Sequence, residues 1–146
     1  MRKQIATLTS LLLLLAACSS SSQDTATGEI DWVKDYKSGI ALAAETGKPI
    51  MLYFTADWCP PCRELKKNVF SRADVAQASR QLVNIYLDVD KDRATMEAYK
   101  VRSIPIIFFL DQPGEVVSTI TGAGSAKVFI KHMNNLVEQA KPANSG

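Results

Sequence analysis

The apolar residues of this chain follow two kinds of spacing, which alternate along most of its length. Residues Asp31 to about Glu45 carry apolar side chains at helical spacing, and Gly47 with Pro49 forms a helix stop signal. Three short runs are apolar enough to form buried strands, namely "PIMLYFTA", "LVNIYLDVD" and "IPIIFFL". Between them the pattern predicts helices that begin at Cys59, cover Ala73 to Ser79 and cover "DRATMEAYK".

The end of this pattern predicts a hairpin and a last helix. After a turn at "DQPG", the segment "EVVSTI" alternates as an antiparallel strand does, and Ser125 is placed to cap a final helix to about Ala140. Helices between strands require crossovers, which join parallel strands, whereas the last two strands are close enough in sequence for a hairpin. The sequence therefore predicts an α/β fold with a central mixed sheet flanked by helices, in a single domain.

The N-terminal residues 1–17 form a separate apolar unit. Arg2 and Lys3 precede the stretch from Ile5 to Ala17, which is shorter than the roughly 17 residues that a bilayer-spanning helix needs at minimum. A short basic region, an apolar region and small residues at the end are the layout of a secretory signal peptide. We therefore predict that residues 1–17 are removed and that the mature chain is exported.

The residues that follow predict attachment to a membrane. The motif "LAAC", which ends at Cys18, resembles the lipobox of bacterial lipoproteins, and this implies that Cys18 is lipid-modified, with palmitate, and becomes the first residue. A plain signal peptide with a free Cys, or an uncleaved anchor, is the alternative. Residues 18–29 then form the lipidated Cys and a flexible tether of Ser, Thr, Gln and Gly. Ser19 favours the outer membrane, facing the periplasm, if the cell has two membranes.

Composition limits the partners of the remaining chain. The 146 residues contain 17 Lys and Arg and 15 Asp and Glu, and removal of Arg2 and Lys3 with the signal leaves 15 of each. A balanced charge argues against nucleic-acid binding and against electrostatic binding to a membrane surface. Residues 30–141 are long enough for one core and are predicted to form the folded domain, with a disordered tail at 142–146.

The cysteines supply the candidate chemistry. The chain has three, and once Cys18 is assigned to lipid, only Cys59 and Cys62 remain for the domain. A structural disulfide across so short a loop would add little stability. A zinc site needs four ligands, and the single His132 is about 70 residues away, so zinc is the weaker alternative. We therefore predict a redox pair with no metal and no cofactor.

The position of the pair suggests a role for each thiol. Cys59 at a helix N-terminus has its thiolate favoured by the helix dipole, so it is the predicted nucleophile, and Cys62 one turn later is the predicted resolving thiol. Pro60 and Pro61 offer no amide hydrogen, which makes the stabilisation of the thiolate modest and the pair reducing. Trp58 is predicted to shield the sulfur atoms and line a docking face, with an ordinary core position as the alternative.

These motifs together resemble those of the thioredoxin fold over nearly all of the domain. "ADWCPPC" corresponds to the active-site signature, "SIP" at residues 103–105 to the cis-proline loop, and "TGAG" at residues 121–124 to the glycine turn. The resemblance implies that Ile104, Pro105 and Gly122 line a substrate groove, with Pro105 cis so that its backbone can pair with an extended peptide. The site is also similar to the C-terminal domain of thiol:disulfide interchange transporters and to exported reductases of cytochrome maturation.

Two features distinguish this chain within the resemblance. The interval between Cys59 and Pro105 leaves no room for the helical insertion of the periplasmic disulfide-forming oxidases. Tyr53 occupies the position where the family usually has a buried acid, which leaves open how Cys62 loses its proton. Asp57 and Glu64 are the acids nearby in sequence, and we expect Asp57 on the surface.

The preferred hypothesis is an exported, membrane-anchored thiol-disulfide oxidoreductase that acts mainly as a reductase. Its predicted partners are protein disulfides and a membrane thiol transporter as electron donor, and it is predicted to be a monomer. A copper(I) chaperone, with Met51 or Met96 as a further ligand, and a redox-inactive binding lipoprotein are the alternatives. Disulfide oxidation or isomerisation is less favoured, because an isomerase usually needs a dimerisation module.

Overall fold

The computed structural model describes residues 28–112 and 114–141. The predicted signal peptide, Cys18, the tether to residue 27, Pro113 and the predicted tail at 142–146 lie outside the described residues. The strands are β1 (Trp32–Val33), β2 (Ile50–Thr55), β3 (Val83–Asp88), β4 (Ile106–Leu110) and β5 (Val116–Thr121). The helices are α1 (Tyr36–Thr46), α2 (Pro60–Leu65), α3 (Ala73–Ser79), α4 (Arg93–Ala98) and α5 (Ala126–Ala140).

The strands form one mixed sheet in the order β1-β3-β2-β4-β5. Strand β3 pairs in parallel with β1 and β2, whereas β4 pairs antiparallel with both β2 and β5. Strand β2 is central, and all six of its residues are buried, as expected for a continuous apolar run covered on both faces. The predicted mixed sheet with its terminal hairpin is confirmed, and the crossover from β2 to β3 joins parallel strands as expected. The expectation is wrong for α4, which joins β3 to β4, because β4 runs opposite to both β2 and β3.

The first helix begins later than the sequence predicts. Trp32 and Val33 are not helical but form β1, which pairs with β3 at the edge of the sheet. Helix α1 starts at Tyr36 because Asp35 is its N-cap, and the Asp35 carboxylate accepts a hydrogen bond from the Ser38 amide at 2.7 Å. At the other end Gly47 adopts φ +66° and donates its amide to the Ala43 carbonyl, so the predicted stop is confirmed.

Successive side chains of β2 point to opposite faces of the sheet and enter two separate clusters. Met51 and Tyr53 belong to the cluster that is covered by residues of α3 and α5. Leu52 and Phe54 belong to the second cluster, which contains both cysteines of the predicted site and is covered by residues of α1 and α4. The reactive pair is therefore joined to the hydrophobic interior of one particular face.

The helix that carries the cysteines continues in a form that the sequence does not predict. Directly after α2, residues Lys66–Phe70 form one π-helical segment, which places Val69 and Phe70 in the core.

At the last helix, the predicted cap is only partly correct. Ser125 precedes α5, but its side chain makes no capping hydrogen bond, and its backbone carbonyl accepts from the amides of Val128 and Phe129 instead.

None of the helices within residues 28–112 and 114–141 combines the length and apolar character needed to cross a bilayer.

Candidate active site

The two cysteines lie where β2 passes into α2. Cys59 is the N-cap of α2 with an extended backbone, and Pro60 and Pro61 occupy the first helical positions, where a missing amide hydrogen costs least. Cys59 and Cys62 form a disulfide, with their Cα atoms 5.3 Å apart. Both side chains are buried, and Cys62 is the more deeply buried of the two. The structure therefore shows the oxidised state of the predicted pair.

The Cys59 sulfur has two polar neighbours. The Cys62 backbone amide donates a hydrogen bond to Cys59 Sγ at 3.3 Å, and the Ile104 carbonyl oxygen lies 3.8 Å from the same sulfur. In the disulfide Cys59 carries no proton, so the Ile104 contact is not a hydrogen bond in this state. A reduced thiol at the same place could donate to that carbonyl. The prolines contribute no donor, so Cys62 supplies the one amide bonded to this sulfur.

The predicted groove residues come together opposite the disulfide. The peptide bond between Ile104 and Pro105 is cis, as the resemblance implies. The Pro105 carbonyl accepts a hydrogen bond from the Gly122 amide at 2.8 Å, which ties the proline loop to the turn after β5. Gly122 has φ +79°, a conformation that residues with a Cβ rarely adopt. Cys59, Ile104, Pro105 and Gly122 thus form a continuous chain of contacts from three separate segments.

Trp58 lies on the surface beside the disulfide. Its side chain is 63% exposed, so the alternative of an ordinary core position is wrong. Its indole Nε1 donates a hydrogen bond to Asp90 Oδ2 at 2.7 Å. Asp90 belongs to the loop after β3 and was not singled out from the sequence. One feature could have indicated that Asp90 lies near Trp58. Strands β2 and β3 are parallel, and the residues that follow parallel neighbouring strands lie at the same edge of a sheet.

Tyr53 occupies a dry aromatic environment on the opposite face of the sheet from the cysteines. It is fully buried, and the rings of Trp32, Phe70 and Tyr86 lie 5.8, 5.2 and 5.6 Å from its own. Burial raises the pKa of Tyr53 to about 12, although the nearby Thr55 hydroxyl opposes part of that rise. Neither hydroxyl has a partner that meets hydrogen-bond geometry. Tyr53 therefore stays protonated near neutral pH and cannot act as a base for Cys62.

The two acids near the cysteines in sequence are both exposed. Asp57 contributes its backbone carbonyl to a hydrogen bond from Arg63 Nη1 at 2.9 Å. Glu64 accepts a hydrogen bond from the Asn68 amide at 2.8 Å. The surface position expected for Asp57 is confirmed, and neither residue occupies the buried place of the family acid.

Possible metal ligands near the pair were part of the copper hypothesis. Met51 lies in the cluster on the opposite face, whereas Met96 packs against the cluster that contains the cysteines. Among residues 28–112 and 114–141, no group of three or more His, Cys, Asp and Glu is arranged to hold a metal ion. His132, expected on the surface, is half-buried, accepts or donates a hydrogen bond with Ser118 at 2.9 Å and stacks on Phe109.

Comparison with known proteins agrees with this geometry. Residues 36–136 match the family model described as a thioredoxin-like domain. The chain belongs to the thioredoxin-like family. This thioredoxin-like protein is 34% identical over 129 residues to the thiol:disulfide interchange protein DsbD of Vibrio vulnificus strain CMCP6. The match covers 81% of this chain but 22% of that relative, so the chain spans about a fifth of the DsbD proteins that it matches.

Two further comparisons involve proteins of nearly the same size as the domain. Thioredoxin H3 of Arabidopsis thaliana is 35% identical over 97 residues, which cover 66% of this chain and 79% of that protein. The solution structure of a thioredoxin from Thermus thermophilus superposes with a TM-score of 0.69 at 24% identity, covering 77% of this chain and 91% of that one. The structural match shows the thioredoxin fold. With its Cys-Pro-Pro-Cys pair, this thioredoxin-like protein is a thiol-disulfide oxidoreductase.

Proposed function

We propose that the protein acts mainly as a reductase of protein disulfides. The observation that supports a reducing rather than an oxidising role is the small number of hydrogen-bond donors at Cys59 Sγ. This sulfur receives one amide hydrogen bond, from Cys62. Pro60 and Pro61 cannot add others, and Ile104 has no side-chain hydroxyl. A thiolate with few donors is less stabilised, so the reduced form of the pair is less favoured and gives up its electrons more readily.

The proposed reaction transfers two electrons from the pair to the substrate. The Cys59 thiolate attacks one sulfur of a substrate disulfide, forms a mixed disulfide and releases the other substrate sulfur as a thiolate. Cys62, deprotonated, then attacks Cys59 Sγ and releases the second substrate thiolate. The protein is left with the Cys59–Cys62 disulfide seen in the structure. We propose that an extended substrate segment docks between Trp58 and the Ile104–Pro105 loop, with Gly122 alongside.

Equilibrating the Cys59–Cys62 pair with glutathione buffers gives its reduction potential, which tests whether the protein acts as a reductase. Potentials in this fold run from about −270 mV in reducing members to about −120 mV in strong oxidants, and we expect a value below roughly −200 mV here. Ile104→Thr supplies a hydroxyl beside Cys59 and is expected to raise the potential, whereas Ile104→Val, of similar shape, is expected to leave it nearly unchanged. A wild-type value near −120 mV would reverse the assignment to a disulfide donor.

A reductase in an oxidising compartment becomes oxidised at each turnover and must be reduced again. We propose that a membrane thiol transporter supplies the electrons and that protein disulfides receive them. The similarity to DsbD proteins, which are named for thiol:disulfide interchange, supports both partners. We propose that the protein works as a monomer, since one chain supplies the cysteines, the proline loop and the glycine turn.

We also propose that the protein is exported and anchored by lipid. The apolar segment ending in "LAAC" supports cleavage after residue 17 and acylation of Cys18, with residues 18–29 as tether, and Ser19 supports the outer membrane where there are two. Several acyl chains on one residue bind a membrane more firmly than a single chain, whose binding is marginal.

Cys18→Ala is expected to abolish metabolic labelling with palmitate. Labelling that persists in this variant, compared with Cys59→Ala as control, would exclude Cys18 as the acylated residue.

A further inference from the structure

The three segments that line the groove carry few charged side chains. The turn with the cysteines, residues 57–61, contributes Asp57, and the proline loop, residues 100–105, contributes Lys100 and Arg102. The glycine turn, residues 121–125, contributes none. All three charged side chains are exposed. The proline loop is therefore the positively charged wall of the groove.

The backbone of the proline loop keeps its two cations on the surface. Val101, which lies between them, is 6% exposed and belongs to the cluster that contains the cysteines. Its amide donates a hydrogen bond to the Met96 carbonyl at 3.0 Å, which ties the loop to the end of α4. Because Val101 is turned into the core, its neighbours Lys100 and Arg102 are left facing the solvent.

Arg102 stands close to the reacting sulfur atom. The Ile104 carbonyl oxygen lies 3.8 Å from Cys59 Sγ. Arg102 precedes Ile104 by two positions, and two residues of chain span at most about 7 Å. The long Arg102 side chain therefore extends from the rim beside the place where a mixed disulfide forms.

Neither cation of the proline loop forms an ion pair within the protein. In the part of the chain that the structure describes, no carboxylate lies within ion-pair distance of Lys100 or Arg102. The opposite wall carries the carboxylates of Asp57 and Asp90, and Arg63, which donates to the Asp57 carbonyl at 2.9 Å, offsets part of their charge. An unpaired guanidinium presents a planar fork of donors that matches a carboxylate. The groove therefore favours an acidic group at the proline loop.

We propose that Arg102 is a specificity-determining residue that selects protein substrates with an acidic side chain beside their disulfide. This inference rests on the proposed function and names the substrate class that the reductase prefers. A carboxylate of the docked segment accepts hydrogen bonds from the Arg102 guanidinium, and Lys100 adds a longer-range attraction. A basic side chain at the same place meets a like charge and binds less well. The exchange itself is unchanged, because Cys59 forms the mixed disulfide and Cys62 resolves it.

The test uses three synthetic peptides that differ in the residues on both sides of their cysteine, which are Glu, Gln or Lys. Compensating residues at the far end keep the net charge of the three peptides equal. Each cysteine is joined by a disulfide to 2-nitro-5-thiobenzoate, so attack by Cys59 on the peptide sulfur releases a coloured thiolate, and Cys62 then releases the peptide thiolate. The reduced full chain at low salt is expected to react about three- to tenfold faster with the Glu peptide than with the Lys peptide.

The ratio of these two rate constants separates recognition from thiol reactivity, because a change at the Cys59 thiolate alters both rates alike. Arg102→Ala is expected to lower the ratio to about twofold or less, whereas Arg102→Lys keeps the charge and most of the preference. Arg102→Glu is expected to invert the preference. Lys131→Ala, the control, removes an exposed positive charge from α5 and is expected to leave the ratio as in wild type. In about 1 M salt, where the screening length is about 3 Å, the wild-type ratio is expected to fall.

Three results would overturn the inference. These are an unchanged preference for the Glu peptide in Arg102→Glu, an equal loss of preference in Lys131→Ala and Arg102→Ala, and a wild type that reacts with the Gln peptide but does not distinguish the other two. Insulin reduction with dithiothreitol as the electron source tests the proposed function separately. A chain that distinguishes the peptides but does not reduce insulin overturns the reductase assignment and supports the role of Arg102 in recognition. A chain that reacts with none of the peptides overturns both.

Discussion

Replacing Cys59 by Ser is expected to lower the rate of insulin reduction to the uncatalysed rate. Replacing Cys62 by Ser is expected to stop the reaction after the mixed disulfide has formed. Serine cannot form the mixed disulfide, so without Cys59 the first bond is never made. With Cys59 present and Cys62 absent, the mixed disulfide forms but has no neighbouring thiolate to resolve it. The 5.3 Å between the two Cα atoms makes Cys62 the group within reach of the Cys59 sulfur.

Non-reducing gel electrophoresis measures both outcomes. Cys62→Ser is expected to accumulate adducts with insulin chains and, in cells, with physiological substrates, and reduction should dissolve these adducts. Cys18→Ser provides the matched control, because it replaces a cysteine that takes no part in the exchange and leaves Cys59 and Cys62 unchanged. Recovery of no adduct on Cys62→Ser under oxidising stress would count heavily against reductase function. Activity retained by Cys59→Ser would show that another group is the nucleophile.

Replacing Phe129 by Ala is expected to lower the free energy of unfolding by about 3–5 kcal/mol, a large part of the 5–15 kcal/mol typical of a domain. Phe129 is completely buried in α5, and its ring meets that of Phe70 edge-to-face at 5.3 Å. Phe70 ends the π-helical segment that follows the cysteine helix. The cavity left by this substitution therefore lies between α5 and the continuation of the active-site helix.

Urea denaturation monitored by circular dichroism measures this effect. Val128→Ala is the matched control, because Val128 precedes Phe129 on the same helix and is 41% exposed, so its loss is expected to cost no more than about 0.5 kcal/mol. The m value, the slope of the free energy of unfolding against urea concentration, should be the same in both variants as in wild type, since neither substitution changes the surface exposed on unfolding by much. Equal destabilisation by the two variants would contradict the burial of Phe129 in this core.

Predictions from the sequence succeeded where a local pattern has one structural solution. The apolar run around Tyr53 could only be buried on both faces, and it forms the central strand β2. The helix start at Cys59 follows from Pro60 and Pro61, whose fixed backbone angles and missing amides suit the first helical turn. The prolines also determine, without any tertiary contact, that two of the first-turn positions cannot donate hydrogen bonds to the Cys59 sulfur.

Features that depend on pairing between distant segments were decided by the tertiary structure. Trp32 and Val33 fit the helical pattern of the residues after them, but the edge of β3 offers them hydrogen bonds, and they form a strand two residues long. The π-helical segment from Lys66 to Phe70 has no periodicity of its own that a short window could detect.

The active site also has one part that the sequence determines and one part that the tertiary structure determines. Its sulfur chemistry is determined by the sequence alone, because the nucleophile, the resolving thiol and the prolines lie within four consecutive residues. The surroundings of that chemistry depend on residues distant in sequence: the Ile104 carbonyl near the sulfur, the burial of Tyr53 away from the cysteines, and Asp90 at the Trp58 indole. Only the sheet order brings these groups together, because contacts across 30 or more residues follow from which strands are neighbours and not from any local spacing.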